Sequence, residues 1–209
     1  MRGRGRRNWL RGPVGSTWRL VPVLSLLAVM WLATAINLLV VHGAWLLYGV
    51  RAHDGRGFWP NLLLAPFLHA GLGHLLANTV PFLVLGGLIA LQSPWRFALV
   101  SILGAVVGAA VVWVLAPAGS VHIGASGLVF ACFGWLIARA VRERSLGAIV
   151  LGLVSVSLYG GALWGLSPFQ LGISWQGHLG GLLGGLVAAG LWPAHKRRGT
   201  SPLRSGRPA

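Results

Sequence analysis

The sequence predicts an all-α polytopic membrane protein, a bundle of six transmembrane helices, and three observations carry that prediction. Of 209 residues, 56% are hydrophobic and only 9% charged, whereas a soluble globular domain carries about 25% charged residues. The apolar residues gather into six blocks, each at or near the roughly 20 helical residues that a hydrocarbon core demands. Once those blocks are threaded through a membrane, the basic residues fall almost wholly on one side.

Residues 1–18 form a basic segment expected in the cytoplasm. The first block, roughly 19 to 41, is longer than the apolar region of about 7 to 15 residues in a signal peptide, so it reads as a retained span. The 42–72 connection lies outside. Its apolar stretch FWPNLLLAPF is broken by Pro60 and Pro66, so it reads as a re-entrant or interfacial loop. The remaining spans fall at roughly 73 to 91, 95 to 116, 125 to 141, 146 to 164 and 175 to 193. Residues 19–193 are thus expected to form one six-helix membrane domain. The tail 194–209, rich in Gly, Pro, Ser and Arg, is expected to be a disordered cytoplasmic extension.

This threading places fifteen of the 17 Lys and Arg residues inside and leaves Arg51 and Arg56 outside. Five or seven spans would put the basic tail on the wrong side. The net charge of +15 is therefore a topology signal and not the footprint of a nucleic-acid partner. An integral protein of the plasma (inner) membrane, with both termini cytoplasmic, is expected. Trp18, Trp45, Trp95, Trp164, Trp175 and Trp192 sit near span ends, where indoles suit the headgroup region.

Polar residues at membrane depth are costly and mark functional candidates. Ser126, in HIGASGLVFACFGW, opens the fourth span between Gly124 and Gly127. Flanking glycines allow a tight turn and leave a hydroxyl uncovered, as a nucleophile requires. A helix cap or packing residue is the other reading of that serine. His178, in SWQGHLGGLLGGLVAAG, enters on the sixth span from the same outer face. Counting back to the cytoplasmic charges at 1.5 Å per residue places Ser126 about 20 Å and His178 about 27 Å above them. A histidine hydrogen-bonded within the bundle remains the alternative for His178. The small-residue spacing Gly180, Gly181, Gly184, Gly185 would let a neighbouring helix approach closely. On the second span His74 and Asn78 lie one turn apart on one face, in the same outer stratum.

Elimination sharpens the chemistry. The only acids are Asp54 and Glu143, which excludes paired-carboxylate glycosidases and two-aspartate proteolysis. Glu143 lies between arginines in the cytoplasmic loop, so neither an H-E-x-x-H metal site nor a Ser-His-Asp triad can be assembled. The one cysteine, Cys132, permits no internal disulfide and reads as a small apolar residue. A Ser-His dyad is what remains.

G-A-S-G at 124–127, H-L-L-A-N at 74–78 and G-H-L-G-G-L-L-G-G at 177–185, in this order and on these spans, resemble the rhomboid intramembrane serine proteases. The likeness covers roughly 58 to 193, and the joint motif is far more specific than its parts. The resemblance implies a rhomboid-like six-helix bundle, making 19–193 a membrane protease domain, with Ser126 as nucleophile and His178 as base. It implies an oxyanion site formed by the Ser126 N–H with His74 and Asn78. It also implies substrates that are transmembrane segments of other proteins in the lipid bilayer, with no metal or cofactor. One departure is that Trp59 precedes Pro60, where the family usually carries a Trp-Arg pair in the outer loop. His69 fits the family's loop spacing but by its own chemistry reads as an anchor, and His122 as a polar loop residue within reach of substrate. The competing reading is a non-catalytic polytopic protein, either a scaffold that binds transmembrane helices or a small transporter. No internal repeat supports the transporter.

Overall fold

The computed structural model describes residues 17–55, 58–170 and 172–193. The segments 1–16 and 194–209, for which a basic cytoplasmic N-terminus and a disordered tail are expected, lie outside the described residues. All six apolar blocks are helical. A 3-10 turn at Thr17–Leu20 leads into α1 (Val21–Leu39), with a proline in its first turn, where no helical N–H is required.

The connection after α1 is structured. It contains a 3-10 turn at Ala44–Tyr48, β1 (Val50–Arg51), α2 (Phe58–Leu64) and a second 3-10 turn at Ala65–Phe67. The second span is built from α3 (Leu72–Pro81), a π-helical turn at Phe82–Gly86 and α4 (Gly87–Gln92). Pro81 has no N–H to donate, and the widened turn absorbs the break. The Phe82 N–H reaches the carbonyls of both Asn78 and Thr79, so the ladder resumes directly after the proline.

Four elements complete the chain: α5 (Pro94–Leu115), β2 (Val121–His122), α6 (Ser126–Glu143) and α7 (Leu146–Tyr159). α7 runs on as a 3-10 helix at Gly160–Leu166, and the last span is α8 (Trp175–Leu191). Among the described residues the single exception to an all-helical architecture is the antiparallel pair β1–β2, with Val50 opposite His122 and Arg51 opposite Val121. It joins the α1–α3 and α5–α6 connections to each other.

Thr17–Leu39, Leu72–Gln92, Pro94–Leu115 and Leu146–Leu166 are each long and apolar enough to cross a membrane alone. The other two differ for a physical reason. α6 carries Arg139, Arg142 and Glu143 in its last turns, and α8 is only 17 residues long and rich in glycine. These two are the innermost helices, so their outer surfaces meet protein more than lipid. Exposed apolar side chains such as Leu24, Leu32, Ile102, Leu153 and Leu158 lie on the surrounding helices.

The end of the bundle away from Ser126 is fastened by Arg139, which is 4% exposed. It pairs with Glu143 one turn on, donates to the Trp192 and Pro193 carbonyls at 3.2 and 3.3 Å, and stacks 5.4 Å from the Trp135 ring centroid. A buried charge is tolerable only when it is paired and hydrogen-bonded in this way. The link ties the last turns of α6 and α8 together at the end opposite Ser126.

Candidate active site

Ser126 is the first residue of α6, and the chain ahead of it is held from two sides. Gly124 has φ +109°, a conformation that favours glycine. Its N–H donates to the Ala65 carbonyl at 2.9 Å, and the Ala125 N–H donates to His69 Nε2 at 3.4 Å. His69 is fully buried. Burial and the neighbouring His74 lower its pKa to about 4, so the ring is neutral and able to accept. The segment that reads as a loop anchor thus supports the turn that presents Ser126.

The cap position of α6 is Ala125, without a side-chain cap bond, so Ser126 does not serve as an N-cap. Its side chain is half-buried and lines a cavity of about 60 Å³ with Gly127, His122, Ser174 and Gly177 among its walls. That volume suits a small side chain or one or two waters. Among the described residues the Ser126 hydroxyl has no hydrogen-bond partner. Catalytic hydrogen bonds are often long in unliganded sites and tighten when substrate binds.

His178 lies on the first turn of α8, and α8 meets α6 through glycine. A Cβ at Gly181 would collide with the Gly127 backbone, and one at Gly185 with the Ala131 carbonyl. On the other side, a Cβ at Gly180 would lie 2.7 Å from the Gly108 Cα, and one at Gly184 2.9 Å from the Gly104 Cα. The glycines therefore present two close-packed faces rather than one, gripping α6 and α5 at once. Such backbone proximity is what small-residue spacing provides in a membrane.

The imidazole of His178 is fixed by two contacts. Its ring stacks on Phe130, with centroids 4.3 Å apart and planes 14° apart, and Phe130 lies one turn after Ser126. Nδ1 is 2.8 Å from the Gly165 carbonyl oxygen. That carbonyl is available because the last turn of a helix leaves its C=O groups without helical partners. A carbonyl only accepts, so in the neutral ring Nδ1 carries the proton and Nε2 keeps its lone pair. Gly165 must be small, since a Cβ there would sit 2.8 Å from His178 Nδ1.

His74 and Asn78 approach the same turn from α3. A Cβ on Gly124 would lie 2.7 Å from His74 Nε2 and 3.9 Å from Asn78 Nδ2, so both nitrogens face the backbone just before Ser126. Asn78 donates one amide hydrogen to the His74 carbonyl at 2.9 Å and retains a second. The Ala70 N–H lies 3.5 Å from His74 Nδ1, which leaves Nε2 to carry the proton. The four residues singled out in the sequence thus gather around the first turns of α6.

Comparison with known proteins bears on this arrangement. The rhomboid domain family matches residues 56–194. The chain belongs to the rhomboid family. An uncharacterized protein of Mycobacterium tuberculosis is 37% identical over 193 residues, covering 88% of this chain and 79% of its own length. A Mycobacterium leprae protein, also uncharacterized, is 37% identical over 186 residues, covering 85% of this chain and 73% of its own length. The rhomboid protease GluP of Bacillus subtilis is 30% identical over 140 residues, covering 64% of this chain and 26% of its own length. Two supports of the candidate site, the Gly165 carbonyl and the Phe130 ring, are not assigned these roles from sequence, whereas His69 reads there as an anchor. The first is a backbone group that no side-chain pattern signals.

Proposed function

We propose that this rhomboid is an intramembrane serine protease that cleaves transmembrane segments of other proteins, with Ser126 as nucleophile and His178 as general base. The observation that carries the reading is the Nδ1 contact of His178 to the Gly165 carbonyl, made while its ring rests on Phe130 one turn from Ser126. It leaves Nε2 as the free base on the side of α8 that packs against α6. His178 Nε2 takes the Ser126 proton, Oγ attacks the scissile carbonyl, and the proton passes to the departing amine. Water then hydrolyses the acyl-enzyme by the same route in reverse.

The negative oxygen formed on attack needs donors already in place. The Ser126 N–H begins α6 and so has no helical acceptor, and His74 Nε2 and Asn78 Nδ2 flank the same turn. Helical carbonyls in lipid are all hydrogen-bonded, so the substrate must be locally unwound where it is cut. GluP, named a rhomboid protease, supports the activity class. The charge distribution supports a plasma-membrane protein with cytoplasmic termini and a protease domain at 19–193.

The test uses purified protein reconstituted with a panel of single-span substrates. Cleavage by the wild type that is absent in both Ser126→Ala and His178→Ala is expected. Comparable cleavage by Ser126→Ala would refute the assignment.

A further inference from the structure

His122 lies four residues before Ser126, and Ser174 lies four residues before His178. Their side chains meet: His122 Nδ1 is 2.6 Å from Ser174 Oγ. The proton pattern around this contact is single-valued. Ser120 Oγ donates to the Pro117 carbonyl at 2.6 Å, so it must accept from His122 Nε2, 2.9 Å away. With its proton on Nε2, the neutral ring accepts at Nδ1 from the Ser174 hydroxyl. Ser174 Oγ in turn accepts the Gly177 N–H at 3.2 Å, capping α8.

Every donor in this chain has one acceptor. It runs from the connection between α5 and α6, through β2, to the first turn of α8. The surroundings explain why such a link matters. Below it α6 and α8 are locked by the Gly127–Gly181 and Ala131–Gly185 approaches. Above it Phe169, in the segment preceding α8, is 90% exposed. β2 is fixed independently by its pairing with β1. The contact therefore joins an anchored strand to the first turn of the helix that carries His178.

We infer that His122 and Ser174 form a strap that sets the separation of Ser126 and His178, which makes His122 a positioning residue of the reaction. The inference rests on the proposed dyad. It assigns a positioning role to a histidine whose sequence context reads as a polar loop residue within reach of substrate. Because the strap acts on the dyad and not on substrate recognition, its loss should lower kcat and leave KM unchanged.

A tagged alkyl fluorophosphonate is a suitable probe. It reacts with an activated serine as Oγ bonds to phosphorus, fluoride leaves and the hydroxyl proton passes to the base, so its rate reads the dyad without substrate docking. The experiment measures labelling rates, together with kcat and KM on one single-span substrate, for the full chain in proteoliposomes. His122→Phe and Ser174→Ala should each slow labelling by roughly tenfold to a hundredfold, the loss associated with ångström-scale misplacement of a catalytic group. Ser174→Thr, which keeps the hydroxyl, and His122→Asn, which keeps a polar atom near the Nδ1 position, should recover most of the rate. The double variant should be no slower than the slower single one, since both break one link.

Labelling of His122→Phe at the wild-type rate, or losses that multiply in the double variant, would overturn the strap and leave the dyad standing. If His122→Phe does not fold, the Ser174→Ala and Ser174→Thr pair decides: equal rates in the two refute the strap. A Ser126→Ala protein that labels like the wild type removes the dyad and the strap together.

Discussion

Replacing Gly181 by alanine adds one carbon where α6 and α8 pack backbone to backbone, one turn from His178. That Cβ would lie 2.8 Å from the Gly127 carbonyl carbon and 2.9 Å from its Cα, with the oxygen closer still. Favourable carbon contacts begin at about 3.5 Å, so the helices must part by roughly 0.5 to 1 Å. Two effects on stability oppose each other. Alanine gains about 1 kcal/mol over glycine in a helix, while overpacking costs about 1 to 3 kcal/mol. The net change lies between about zero and a loss of about 2 kcal/mol.

Turnover is far more sensitive, because a misplacement of about 1 Å can cost about 100-fold. Gly184→Ala is the matched control. Its Cβ would lie 2.8 Å from the Leu103 carbonyl carbon and 2.9 Å from the Gly104 Cα, the same carbon distances on the same helix but against α5, with the carbonyl oxygen somewhat less close. Thermal midpoints in detergent should shift by similar amounts in the two variants. Cleavage of a reconstituted single-span substrate should fall about 100-fold in Gly181→Ala and much less in Gly184→Ala. Equal turnover in the two would show that the α6–α8 spacing does not set the Ser126–His178 geometry.

Further outcomes follow from other contacts. Gly165→Ala places a Cβ 2.8 Å from His178 Nδ1 and should depress turnover while leaving the thermal midpoint nearly unchanged; unaltered turnover would disprove the orienting role of that carbonyl. His69→Phe strands the buried Ala125 N–H and should cost about 1 to 3 kcal/mol, read as a lower thermal midpoint, and an unchanged midpoint counts against the anchor. Burial holds His122 below its usual value of 6.5, so the fold favours the neutral ring. Its stabilisation is complete above the unfolded value and is lost as pH falls from there toward the lowered one. Between about pH 7.5 and about 5.5 the wild type should therefore lose more thermal stability than His122→Asn, and equal losses would contradict this. Substrates should be cut near the outer end of a span at weak helix formers, since Gly costs about 1 and Pro about 3 kcal/mol in a helix interior. Mass spectrometry showing faster cleavage after replacement of that Gly or Pro by Leu would reverse the unwinding argument.

The six helices are legible in the sequence because lipid leaves the backbone no choice: each apolar block must close its own hydrogen bonds. Pro81 inside the second block gives no hint that a π-helical turn will absorb it. The β1–β2 pair is illegible for a different reason, since two residues have no periodicity to detect. Ser126, His178, His74 and Asn78 stand out because polarity at membrane depth is rare. Their supports do not. The Gly165 carbonyl carries no side chain, and nothing in the sequence links Ser174 to His122 until the fold brings them together across 52 residues. The glycine pattern of α8 signals close packing, but that it serves two partners follows only from where α5 and α6 lie.

With His178 as the proposed base, the Gly165 carbonyl at its Nδ1 would take the place that an aspartate holds in a Ser-His-Asp triad, with consequences for durability and speed. A backbone dipole bears no net charge, so burying it in a bilayer avoids the heavy desolvation cost of an ionised carboxylate. It cannot be protonated at low pH or removed by replacing its own side chain. Its weakness is the same neutrality, because a dipole stabilises the imidazolium formed during attack less than a full negative charge would. A dyad built this way would trade some transition-state stabilisation for a base whose orienting partner does not titrate.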